Sequence, residues 1–142
     1  MKNSMRWVLL FTTAIILLAG ITFGQTLQKG NLIGVHVATI KLEPGVTVEQ
    51  FIEFYKSKLI PEMEKNQIGW KYHLVKSIRG EIKNSVGMII VIKSEKERDL
   101  YFNADGSSTE LGNSLIEKYK PITDELKKLG TMTTTYTDWV IQ

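Results

Sequence analysis

The chain has 142 residues, 43% hydrophobic and 23% charged, with 18 basic and 15 acidic side chains and no cysteine. Disulfides and thiolate metal centres are excluded, so one core must hold the fold by itself. Setting aside Lys2 and Arg6 at the start of the chain leaves 16 basic against 15 acidic residues, interspersed along the chain; this is not the basic stripe that nucleic acid requires, and acidic polymers are poor partners.

Residues 1–24 have the pattern of an export signal. Lys2 and Arg6 give a basic start, Trp7 to Leu18 form an apolar run interrupted by Thr12 and Thr13, and small residues lead up to Gln25. No acidic residue precedes Glu43. Cleavage is expected near Gly24. A permanent anchor is the alternative, since Trp7 to Phe23 is 17 residues, at the bottom of the spanning range; the two threonines and the small-residue flank suit a signal better. No cysteine follows the run, so a lipoprotein anchor is excluded. The expected product is a single domain, 25–142, in the periplasm or the external medium, with no stable membrane anchor after cleavage. Its 118 residues can bury one core without staples.

Leu32 to Leu42 is rich in β-branched residues and stops at Glu43-Pro44-Gly45, which predicts a strand and a turn. Thr47 with Gln50 fits a capping box, and Phe51, Phe54, Tyr55 and Leu59 form the apolar stripe of the helix it opens. Pro61 should kink or loosen its last turn. After Gly69, Trp70 to Arg79 reads as a second strand and Gly80 to Ser85 as a polar hairpin. Val86 to Lys93 is apolar on both faces, as a covered central strand would be.

Ser94 and Glu97 give another capping signature, opening a short helix to about Phe102, closed by Asn103-Ala104-Asp105-Gly106. Those residues do not fit a calcium loop, because Tyr101 and Gly112 fall where ligands belong. Leu111, Leu115, Ile116, Tyr119, Ile122, Leu126 and Leu129 keep one helical face apolar, with a break or kink expected at Pro121 and a stop at Gly130. Thr131 to Ile141 is the final strand. The order βαββαβ predicts an α+β, ferredoxin-like fold, an antiparallel sheet with both helices on one face. The central strand is apolar on the other face too, so a homodimer with facing sheets, a dimeric α/β-barrel, is expected; the alternative is a monomer whose open face Thr133, Thr135 and Thr137 make tolerably polar.

His36-Val37-Ala38-Thr39-Ile40-Lys41-Leu42-Glu43-Pro44-Gly45-Val46-Thr47 resembles the opening strand and turn of the stress-responsive A/B barrel proteins. These belong to the dimeric α/β-barrel superfamily, with the antibiotic-biosynthesis-type monooxygenases. Leu59-Ile60-Pro61, Gly69 and Ser94 to Tyr101 follow in the matching order. The resemblance implies a pocket lined by His36 and Tyr101. Catalytic relatives usually carry a further histidine after that tyrosine, and here Phe102 to Ser108 contains none.

On its own chemistry, His36 is an imidazole in an apolar strand, either a buried structural residue or a group that titrates near neutrality and works as acid, base or ligand. His73 lies on the second strand. In a ferredoxin-like sheet the first and second strands flank the third, which sets the two imidazoles about 10 Å apart, too far to share a zinc. The sequence points to no metal and no cofactor. Trp70, Tyr72, Tyr136 and Trp139 could line an aromatic pocket or simply fill core and interface. The expected ligand-binding residues are His36, Tyr101, His73 and Trp70, and the expected function is binding of a small apolar or aromatic molecule without catalysis. The alternative is a cofactor-independent barrel enzyme, monooxygenase-like or cyclase-like, using His36 and Tyr101.

Overall fold

A computed structural model describes residues 27–81 and 85–142. The expected signal segment lies outside these residues, as does the centre of the hairpin expected at Gly80 to Ser85. The elements in chain order are β1 (Leu32–Leu42), α1 (Val48–Phe54), a π-helical turn (Tyr55–Leu59), α2 (Ile60–Asn66), β2 (Lys71–Lys76), β3 (Val86–Ile92), α3 (Glu95–Arg98), α4 (Glu110–Lys127) and β4 (Gly130–Val140). The sheet order is β2-β3-β1-β4 with every pairing antiparallel. This is the α+β, ferredoxin-like βαββαβ arrangement expected from the sequence.

Register assigns each side chain to a face. Leu32, Gly34, His36 and Ala38 of β1 stand level with Ile92, Ile90, Met88 and Val86 of β3, and Gly34 and His36 with Asp138 and Tyr136 of β4. This set faces the helices together with Tyr72 of β2, which is level with Ile90, and Leu32, Tyr72, Met88, Ile90 and Ile92 join Phe51, Tyr55, Leu59, Trp70, Tyr119 and Leu126 in the core. The opposite face carries Ile33, Val35, Val37, Val75, Ile89, Val91 and Trp139, and among the described residues no helix covers it.

The first helix opens as expected. Thr47 accepts from the Gln50 backbone N–H at 3.2 Å while the Gln50 side chain accepts from the Thr47 N–H at 2.9 Å. Its stripe closes on the core, with Phe51, Tyr55 and Leu59 buried. The loosening expected at Pro61 falls just before it, as the π-helical turn, where the Ile60 N–H donates to the Tyr55 carbonyl. Widening by one residue accommodates the ring without breaking the helix.

Some boundaries differ from expectation. β2 stops at Lys76, short of the expected Arg79, with the Ser77 N–H donating to the Ser85 carbonyl at 2.9 Å just beyond it. α3 ends at Arg98, and the chain then turns through Tyr101 and Phe102. α4 runs through Pro121 without a break. Pro121 and Glu117 are both exposed, so the Glu117 carbonyl that loses its helical donor faces water, where the cost is small.

Candidate functional site

A cavity of about 320 Å³ lies between the sheet and the helices. Its floor is Gly34 and His36 of β1, Ile90 and Ile92 of β3, and Tyr136 and Asp138 of β4; α4 supplies Gly112, Leu115, Ile116 and Tyr119, and the segment after α3 supplies Tyr101 to Ala104, Gly106 and Ser108. The volume is at the lower end of small-molecule sites. Ile116 is 54% exposed although it belongs to the apolar stripe of α4, which places the cavity edge beside it.

His36, Tyr101 and Trp70 meet on this cavity. Trp70 is buried, meets Tyr101 edge-on with ring centroids 5.4 Å apart, and stacks on Tyr72 at 6.2 Å. Tyr72 donates from its hydroxyl to Gln67 Oε1 at 2.6 Å, so both buried polar groups are satisfied. Burial raises the Tyr72 hydroxyl well above its ordinary value, and the neighbouring Tyr119, Tyr55 and Tyr101 add to the effect. Tyr136 also lines the cavity, whereas Trp139 alternates to the other face and is 60% exposed.

His73 is placed elsewhere. It is paired with Ile89 on the face away from the helices, while Tyr72 and Leu74 point inward, so it is exposed and does not line the cavity. The two histidines therefore lie on opposite faces of the sheet. Among the described residues no group of three His, Cys, Asp or Glu is arranged to hold a metal ion.

His36 stacks on Tyr136 with ring centroids 5.4 Å apart and planes 19° from parallel. Its imidazole is held below its ordinary value by burial, against an opposing pull from Asp138. Asp138 accepts from Arg98 Nη1 at 2.7 Å, and Arg98 Nε donates to Asp99 Oδ1 at 2.7 Å. The half-buried Arg98–Asp138 pair ties α3 to β4 across the cavity wall. Asp138, Arg98, Gln67, Tyr119 and Gly34 were not singled out from sequence. Two of them carried a signal: Asp138 is the one charge in a Thr-rich strand, and a glycine inside a β-branched strand marks a close approach.

The segment from Asn103 to Ser108 covers the β4 side. Phe102 bridges to Ser108, and Asp105 Oδ1 accepts from the Ser107 N–H at 2.9 Å and the Ser107 hydroxyl at 2.6 Å, a side-chain-capped turn. Gly106 has φ +83°, a conformation that favours glycine, and a Cβ there would lie 2.9 Å from the hydroxyl of the exposed Tyr136, whose side chain would have to shift.

The lowered His36 value has a sign that can be tested. Below about pH 6.5 the unfolded chain takes up a proton at His36 more readily than the folded one. Stability should therefore fall as pH drops from 6.5 through the folded-state value and level off below it. Thermal unfolding of wild type and His36→Gln between pH 7.5 and 4.5 should differ in slope in that window, the variant being flatter.

No family model matches the sequence, and no curated protein does. Among solved structures, a variant of SnoaB, a cofactor-independent oxygenase from Streptomyces nogalater, is similar at 14% sequence identity and a TM-score of 0.45, over 76% of this chain and 91% of that one.

Proposed function

We propose that this protein is an exported, homodimeric α/β-barrel that takes a small apolar or aromatic molecule into the cavity between its sheet and helices. The observation that supports this is the cavity of about 320 Å³ walled by Trp70, Tyr72, Tyr101, Phe102, Tyr119 and Tyr136. Flat rings find edge and face partners there, and burial of apolar surface supplies the driving force. The signal-like residues 1–24 support export, and the apolar face that no described helix covers supports dimerisation.

The two tryptophans of the 25–142 chain provide the test, since Trp70 lines the cavity and Trp139 lies on the other face of the sheet. Titration with a naphthalene-sized aromatic should shift the Trp70 indole N–H resonance in a saturable way and leave that of Trp139 unmoved. If both move together and without saturation, the cavity is not a binding site.

A second reading is favoured by one observation, that His36, whose imidazole burial holds below its ordinary value, shares the cavity with Tyr101. Such a His36 can accept a proton from a bound ligand, which is the step a cofactor-independent oxygenase needs. An activated methylene would then react with O2, CH2 becoming C=O with release of one water. His73 stands on the opposite face, so of the two histidines it is His36 that can act as the base. An oxygen electrode tests this reading: uptake with an aryl-flanked ketone should be abolished in His36→Gln, and absence of uptake in wild type leaves ligand binding as the function.

A further inference from the structure

Gly34 leaves a notch in the cavity floor. Every other helix-facing position of β1 from Leu32 to Leu42 carries a side chain, and Gly34 stands level with Ile90 on one side and Asp138 on the other. A Cβ built on Gly34 would lie 3.3 Å from Asp138 Oδ1 and 3.4 Å from His36 Nε2. Two polar atoms from adjacent strands thus converge on the volume that a side chain would occupy, in a wall otherwise dominated by apolar and aromatic groups.

We propose that this notch is a specificity subsite for a hydroxyl, phenolic or enolic, on the cavity's ligand. The proposal rests on the reading of the cavity as a small-molecule site. A hydroxyl is the group that fits because it both donates and accepts. It donates to Asp138 Oδ1, whose other oxygen is taken by Arg98 at 2.7 Å, and meets His36 Nε2 as acceptor or donor, whichever nitrogen of the ring carries the proton. An ether, a halogen or a methyl group leaves the carboxylate oxygen without a donor. A second carboxylate would meet the charge of Asp138. Arg98 is a positioning residue here, holding Asp138 over the glycine.

The test compares 2-naphthol with 2-fluoronaphthalene, which match in size and differ in the ability to donate, by NMR titration of the Trp70 indole N–H. Wild type should prefer 2-naphthol. In Gly34→Ala the new methyl group fills the notch, and in Asp138→Asn the charged acceptor is replaced by an amide. In each the ratio of the two affinities should fall by about tenfold, the worth of one charge-assisted hydrogen bond. Thermal unfolding establishes that each variant is folded. Gly34→Ala meets only side-chain atoms at 3.3 Å or beyond, and Asp138→Asn covers the case in which that alanine is not tolerated. Equal wild-type affinities, or a preference that survives in the folded variants, overturn the notch and leave the cavity reading standing. Absence of binding by either probe overturns both.

Discussion

Gly112→Ala should destabilise the protein although it replaces glycine by the best helix former inside a helix. Gly112 is in the first turn of α4 and is buried against the turn that follows α3. A Cβ there would collide with the Tyr101 carbonyl oxygen and lie 3.2 Å from the Tyr101 carbonyl carbon and from Ser108 Cβ. Those backbone atoms cannot swing away, because the Tyr101 carbonyl already accepts from the Thr109 N–H at 3.0 Å and the Thr109 hydroxyl donates to the Leu100 carbonyl at 2.6 Å while accepting from the Gly112 N–H at 3.1 Å. Helix propensity favours alanine by about 1 kcal/mol, whereas overpacking costs about 3 kcal/mol. The net loss of roughly 2 kcal/mol lowers Tm by about 8 °C. Asn113→Ala, one residue along and exposed, is the control and should be neutral or slightly stabilising. Because the displaced carbonyl belongs to Tyr101, the same variant should weaken binding of a naphthalene-sized probe. A Tm equal to or above wild type would show that α4 and the turn are not locked together.

The contrast between Gly112 and His36 indicates what a one-dimensional reading can reach. β1 and β3 were legible because their β-branched and apolar runs are dense and end at unambiguous turn or capping residues, and the Thr47–Gln50 capping box was legible because it is local. His36 stood out as an imidazole among aliphatic residues, Trp70 as one of the aromatic residues at strand positions, and Tyr101 through the resemblance of its segment to the A/B barrel proteins. The faces of β2 were not legible, since Tyr72 and Leu74 on one face and Val75 on the other leave its parity undecided until the pairing with β3 is known. That is why His73 could be grouped with His36 on sequence and stands opposite it in the fold. The notch at Gly34 is a product of register: His36, Asp138 and Arg98 are far apart in the chain, and their convergence depends on which residue of β4 lies beside which residue of β1. Pro121 misled for a related reason, because its effect depends on whether the deprived carbonyl meets water or protein.

Val35→Asp should convert the expected homodimer to a folded monomer. Val35 is at the middle of the uncovered face, 37% exposed, with Ile33 and Val37 two residues to either side on β1 and Ile89 level with it on β3. In a monomer this position is open enough that a carboxylate keeps its water, and the substitution costs little because among the described residues no helix packs there. In a dimer with facing sheets the twofold axis brings the residue in twice, so each interface acquires two carboxylates of like charge in an apolar surrounding. Dissociation should become easier by on the order of 1,000-fold. Thr133→Asp is the matched control on the same face, in the threonine-rich part of β4, where a charge displaces a polar group instead of an aliphatic one. Sedimentation equilibrium of wild type and both variants separates the possibilities: a wild-type dimer dissociated by Val35→Asp and largely preserved in Thr133→Asp places the aliphatic half of the face at the interface. A wild-type monomer at all concentrations would mean that the apolar stripe of Ile33, Val35, Val37 and Ile89 faces water unaided. The cavity lies on the other side of the sheet from this stripe, so Val35→Asp should leave probe binding at Trp70 intact, separating assembly from ligand recognition in a single variant.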